Sequence, residues 1–247
     1  MSDSKNGVTK NGDSPRIRVS ARARRLSIRV YPDARVEVVV PPRVRPREVE
    51  LFIAAHREWI DDKHTIALGN RPVPQPFPPG TLELPASAEI WRLHVAGGAG
   101  RLRLDEGREG TEGARLLRIT GASSDGKLRD ALRTWLLRVA RSRLAPRVEA
   151  MAAATGVRYS KVSIRRQRSR WGSCSARGTI SLNCCLLFQR PEVVDYLIVH
   201  ELMHVKHMNH SAHFWQAVER HCADWRALDH ELVKGWRDVP RWVFADE

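Results

Sequence analysis

Apolar residues at every second position mark the start of the chain. Ile17/Val19, Leu26/Ile28/Val30 and Val36/Val38/Val40 follow the period of strands with one buried face. Pro32-Asp33 lies between the last two runs as a turn, so this stretch predicts a small antiparallel meander. Pro41-Pro42 ends it, and the period then lengthens. Val49, Phe52, Ile53, His56, Trp59 and Ile60 share one face of a helix running from Pro46 to about Ile66. His56 reads as an ordinary member of that face, not as a ligand.

Pro and Gly become frequent between Gly69 and Gly121, with strand-like pieces at Ile90–Val95, Leu102–Leu104 and Leu116–Ile119. The expectation is a β-rich insert with mobile loops at Gly97–Gly100 and Glu106–Gly113. A helical stripe follows, formed by Leu128, Leu132, Leu136, Val139, Leu144, Val148 and Met151; Pro146 should kink or divide it, and Gly156 close it. Further on, Val162–Ile164 and Thr179–Asn183 are short strands, with Trp171-Gly172-Ser173-Cys174-Ser175 and Gly178 between them. A helix then opens at Pro191 and Glu192, with Val193, Val194, Leu197 and Ile198 on its buried face. Asn209 breaks that pattern, and Ser211 is placed to cap a last helix carrying Phe214, Val218, Cys222 and Trp225. Together these elements predict an α+β fold. The expected divisions are a disordered tail at 1–15, an N-terminal β-rich region with one helix at 16–121, and a C-terminal region at 122–247.

Composition narrows the setting. At 247 residues the chain can bury a proper core, and its four cysteines, Cys174, Cys184, Cys185 and Cys222, contain no Cys-x-x-Cys pair. They are expected to be reduced thiols. The first residues lack the apolar stretch of a secretory signal, and no run approaches the roughly 18 apolar residues of a membrane span. A soluble, cytoplasmic protein with no membrane partner is expected. The net charge of +14 raises nucleic acid as a partner, through residues 16–47 and through Arg158, Lys161, Arg165, Arg166, Arg168 and Arg170. No aromatic ladder accompanies either run, so solvated basic surface is the simpler account.

Candidate chemistry concentrates in His200-Glu201-Leu202-Met203-His204, an H-E-x-x-H motif inside a segment already read as helix. Histidines four apart project from one helical face and can reach the same ion, and imidazole nitrogen favours zinc over magnesium or calcium. Manganese, nickel or iron would suit the same nitrogens. Glu201, beside the first histidine, is the candidate general base. The third ligand is assigned to His210, ten residues after His200, the interval of the elongated H-E-x-x-H-x-x-G-x-x-H motif. His207 and His213 compete for that role. Cys174, Cys184 and Cys185 are read as structural thiols before soft ligands.

Taken in order, Ser169-Arg170-Trp171-Gly172-Ser173-Cys174-Ser175, Gly178-x-Ile180-x-Leu182-Asn183, Tyr196 with His200-Glu201-Leu202-x-His204, and Asn209-His210-Ser211-x-x-Phe214-Trp215 resemble the YgjP-like metallopeptidase family, and more distantly the SprT-type zincins. The resemblance implies a zincin-like catalytic core at 122–247, with one catalytic zinc on His200, His204 and His210 and catalysis by Glu201. It also implies a peptide or protein substrate, with Thr179–Asn183 as the strand that would pair with it. The alternatives are a SprT-like protease acting on nucleic-acid-bound protein and a non-catalytic zinc-bound nucleic-acid-binding module.

Overall fold

The computed structural model describes residues 15–71, 73–109, 114–121 and 124–244. Most of the tail expected at 1–15, and residues 110–113 of the expected loop, lie outside the described residues. The chain divides into two compact units at Pro72/Val73 rather than at 121/122.

The first unit contains β1 (Arg16–Val19), β2 (Ser27–Val30) and β3 (Val36–Val40) in the order β1-β3-β2. β2 and β3 form an antiparallel hairpin, but β1 pairs parallel to β3, so the sheet is not a meander. Burial explains the order. Val36, Val38, Val39 and Val40 are all buried, which suits the central position, whereas every residue of β1 is exposed, as an edge permits. In place of one helix there are two, α1 (Pro46–Ala55) and α2 (Arg57–Gly69). The break is at His56, where φ is −111° and ψ 14°, and its Nδ1 lies 2.8 Å from the Phe52 carbonyl. Val38, Val40 and Val49 make the small core of this unit.

In the second unit, β4 (Thr81–Leu84), β5 (Glu89–Gly97), β6 (Arg103–Glu109) and β7 (Ala114–Thr120) form a sheet of order β4-β5-β7-β6. The segment expected as a mobile loop from Glu106 is strand as far as Glu109. Leu82, Leu84, Trp91, Leu117 and Ile119 are buried in one core with Leu128, Leu132, Trp135 and Leu136 of α3 (Asp125–Thr155). The insert is therefore structural. Two carboxylates fasten it, one exposed and one buried: Glu106 Oε1 accepts from Trp135 Nε1 at 2.8 Å and from Arg138, and the buried Glu89 Oε1 from Arg143 at 2.7 Å.

α3 runs through Pro146 as one 31-residue helix, because Ala140, Leu144, Val148 and Ala152 remain buried on either side of the proline. Gly156 ends it in the left-handed conformation, φ 65°. Arg147 ties α3 to the next helix through Asp195, whose Oδ2 is 2.8 Å away, and the Pro191 carbonyl at 2.8 Å.

The third sheet holds β8 (Lys161–Arg165), β9 (Gly172–Cys174) and β10 (Thr179–Asn183), ordered β8-β10-β9. Asn183 is fully buried and serves as its staple. Its Nδ2 donates to the Gln167 and Arg170 carbonyls at 2.7 and 2.8 Å, while Oδ1 accepts from Cys185 N at 3.1 Å. The helices α4 (Pro191–Met203), α5 (Ala212–His221) and α6 (Trp225–Lys234) follow. The helix expected from Ser211 through Trp225 is thus two, parted at Cys222. Among the described residues no helix is long and apolar enough to cross a membrane.

Candidate metal centre

α4 is embedded rather than amphipathic: Val193, Val194, Leu197, Ile198, Val199, Leu202 and Met203 are all buried. His200, Glu201 and His204 are consequently held by packing on several sides. The helix ends at Met203, earlier than the break expected at Asn209, and the chain reverses at once, with His207 N donating to the Met203 carbonyl at 2.9 Å. The reversal carries His210 back over the helix end. His204 Nε2 and His200 Nε2 are 3.2 Å apart, and His210 Nε2 lies 3.2 and 3.1 Å from them.

Three ring nitrogens meeting at one point cannot all satisfy one another by hydrogen bonding, and their other contacts show which atoms carry protons. His204 Nδ1 lies 3.0 Å from the His207 carbonyl, which can only accept, so the proton is on Nδ1 and the Nε2 lone pair is free. The Tyr196 hydroxyl donates to Asp229 Oδ1 at 2.7 Å, leaving its oxygen to face His200 Nδ1 at 3.4 Å. Burial, reinforced by the Asp229 bond, pushes the Tyr196 hydroxyl well above its ordinary range, so it stays protonated. Burial also lowers His200 to about 3, with His204 and His210 adding to the effect, and lowers His204. His200 and His204 thus turn Nε2 lone pairs toward the point that His210 Nε2 also reaches, which makes the three a candidate ligand set. In a tetrahedral zinc site with bonds of about 2.0–2.1 Å the nitrogens stand about 3.3 Å apart, close to the spacing here.

Aromatic packing fixes the ring planes. Phe214, fully buried, has its centroid 4.9, 4.4 and 4.9 Å from those of His200, His204 and His210. Trp215 stacks on His210 at 5.5 Å and on Trp225 at 4.1 Å.

Glu201 is 4% exposed, and its Oε2 has no hydrogen-bond partner. Burial pushes its carboxyl up to about 8, against the pull of the Arg170 charge. Its other oxygen lies against β9: a Cβ at Gly172 would stand 2.5 Å from Glu201 Oε1, so only glycine admits the carboxylate there.

The structure gathers His200, His204 and His210 into the one His/Cys/Asp/Glu group among the described residues that could hold a metal ion. His207 contributes its carbonyl, and His213 is exposed on α5. The free thiols Cys184 and Cys185 are buried outside that group. Thr179–Asn183 cannot pair with a substrate, because β10 is the central strand and both its edges are occupied by β8 and β9. β9 has no second partner among the described residues, so its outer edge is the one left open beside Glu201. Asp229 escaped the sequence reading because no spacing rule links a residue of α6 to a tyrosine of α4.

An H-E-x-x-H helix whose histidines meet a third imidazole, with a buried carboxylate alongside, is the equipment of a metal-dependent hydrolase. The YgjP-like metallopeptidase domain matches residues 24–234, and the chain belongs to that family, which makes it a metal-dependent peptidase. Among solved structures it is similar to the metallopeptidase zymogen abylysin of Pyrococcus abyssi, with 25% identity and a TM-score of 0.33, over 36% of this chain and 90% of that one. It is also similar to the zymogen jannalysin of Methanocaldococcus jannaschii, with 20% identity and a TM-score of 0.32, over 37% of this chain and 94% of that one. No curated protein matches it.

Proposed function

We propose that the chain is a zinc peptidase in which His200, His204 and His210 hold the metal and Glu201 is the general base. The observation that carries this reading is the trio of Nε2 atoms 3.1–3.2 Å apart beside a buried carboxylate with an unpartnered oxygen. A zinc ion there supplies Lewis acidity toward the scissile carbonyl and toward a water.

The chain's own residues do the rest. The open β9 edge holds an extended peptide by backbone hydrogen bonds, replacing β10 in that role. Glu201, shielded from solvent, takes a proton from the attacking water and returns it to the leaving amine. Tyr196, bridged to Asp229, keeps the His200 proton on Nδ1 and its Nε2 directed inward. The Gly172 backbone confines the Glu201 carboxylate from above.

The test is zinc content of the purified chain and of His204→Ala and Glu201→Gln variants, with cleavage of an unstructured protein. His204→Ala should lose zinc and activity together, while Glu201→Gln keeps zinc and loses activity. An active, zinc-loaded Glu201→Gln protein would refute the base assignment.

A further inference from the structure

Between Glu149 and Glu192 the chain has no acidic residue. The same stretch builds the sheet that carries the open edge, and its cations are not scattered evenly. Arg158, Lys161 and Arg177 are exposed at one end of the sheet, where Ser160 N donates to the Gly178 carbonyl at 2.8 Å and brings the β8 start against the β9–β10 turn. Arg165 and Arg170 are exposed at the other end. Arg165 is in register with Asn183, and Asn183 holds the Arg170 carbonyl at 2.8 Å. None of these five side chains forms an ion pair among the described residues, although elsewhere in this unit Arg138, Arg143, Arg147 and Arg190 all do.

We propose that the β9 edge selects acidic peptides: substrates with Asp or Glu on both sides of the scissile bond, met by Arg170 at one end of the edge and Arg177 at the other. The inference rests on reading this site as a peptidase centre. The strand itself is Gly172–Cys174, so Arg170 and Ser175, where the turn bearing Arg177 begins, stand at most roughly 17 Å apart along the edge. A peptide paired along β9 therefore places residues several positions apart next to the two cationic ends. Its middle passes Gly172 and the buried Glu201, where the described residues place no cation to receive a substrate carboxylate and Glu201 Oε2 is itself unpartnered, so the preference is for acidic flanks with an uncharged centre.

Nucleic acid fits the surface less well. The cations sit at two separated ends with a free backbone edge between them, not in a continuous track. Trp171, the tryptophan nearest that edge in sequence, is 8% exposed and stacked on Trp236 at 4.1 Å, so it offers no face for a base.

The experiment measures binding to the full-length, zinc-loaded Glu201→Gln protein. Three labelled peptides share one neutral centre and differ in flanks of Glu, Ala or Lys; a single-stranded oligonucleotide of the same charge as the Glu peptide is the fourth probe. The expected order is Glu over Ala over Lys, about tenfold at the first step, with the gap shrinking as salt rises. Arg177→Glu, on an exposed turn, should shift the preference on its flank toward Lys, and Arg177→Gln should only flatten it.

Equal binding of the three peptides, or no binding of any, overturns the proposal. So does an oligonucleotide that binds more tightly than the Glu peptide and weakens in the same variants, which would assign the cations to nucleic acid. Zinc-dependent cleavage of an unstructured, neutral protein by the unmodified chain reports on the peptidase reading separately.

Discussion

Two of the three sheets share one topology. In β1-β3-β2 and in β8-β10-β9 alike, the first strand runs parallel to the third, and the second pairs antiparallel with the third's other edge. What differs is the support. β3 has behind it a core of Val38, Val40 and Val49, closed by half-buried residues such as Phe52 and Ile53. β10 belongs to the large core that includes α3 and α4, and the Asn183 side chain at its end anchors the preceding loop by two hydrogen bonds and the following turn by a third. The pairing pattern alone thus makes no site. The β8-β10-β9 sheet borders the candidate metal centre because its edge strand has a glycine against the buried Glu201 carboxylate and because its loop is pinned.

That contrast can be broken most sharply at Asn183. Asn183→Ala strands two carbonyls and a backbone amide in the interior, and we expect a loss of about 3 kcal/mol in urea unfolding. Its counterpart in the first sheet, Val38→Ala, removes two methyl groups from a small core and should cost about 2 kcal/mol, with zinc content unchanged. A larger loss at Val38 than at Asn183 would reverse the comparison.

Gly172→Ala sharpens it on the functional side. The added Cβ would displace the Glu201 carboxylate, so kcat should fall by about tenfold or more with zinc retained. Tyr196→Phe removes the group between Asp229 and His200 and should weaken zinc binding by about tenfold, read by competition with a chelator.

The smallest effect is on acid stability. Burial alone would raise the Glu106 carboxyl, but the hydrogen bonds from Arg138 and Trp135 and the Arg138 charge outweigh it and hold the group below the usual carboxylate range. The unfolded chain therefore takes up this proton first as pH falls. The contribution is complete above the unfolded-state value and disappears as pH drops through the folded one. The urea midpoints of the wild type and Glu106→Gln should accordingly differ at neutral pH and converge in acid. Glu37 in the first sheet, lowered by Tyr31 and Arg18 against its own burial, should behave in the same way.

Much of this was legible beforehand for a definite reason. Alternation at Val36/Val38/Val40 and the stripe from Leu128 to Met151 report which side chains are buried, and burial is what apolar periodicity encodes. The neighbour of each strand is a different quantity. Nothing in Ile17/Val19 distinguishes a partner at β2 from one at β3, and nothing in Thr179–Asn183 announces a central strand. The helix breaks at His56 and Cys222 were equally silent, since the apolar face continues across both. At the site, the spacing of His200, His204 and His210 is local and could be read directly. The partners that orient them, Asp229 and Phe214 above all, come from other helices and are set by tertiary packing.

The locality of the histidines has a thermodynamic consequence. All three fall within the eleven residues from His200 to His210, so a chain that has lost its fold still carries a competent chelating peptide. Metal then binds both ends of the unfolding equilibrium, and by mass action only the difference between the two affinities stabilises the native state. Saturating zinc should raise the melting temperature by less than the folded chain's affinity implies, and that shortfall measures how much of the binding free energy comes from Phe214, Tyr196 and Asp229 holding the rings in place.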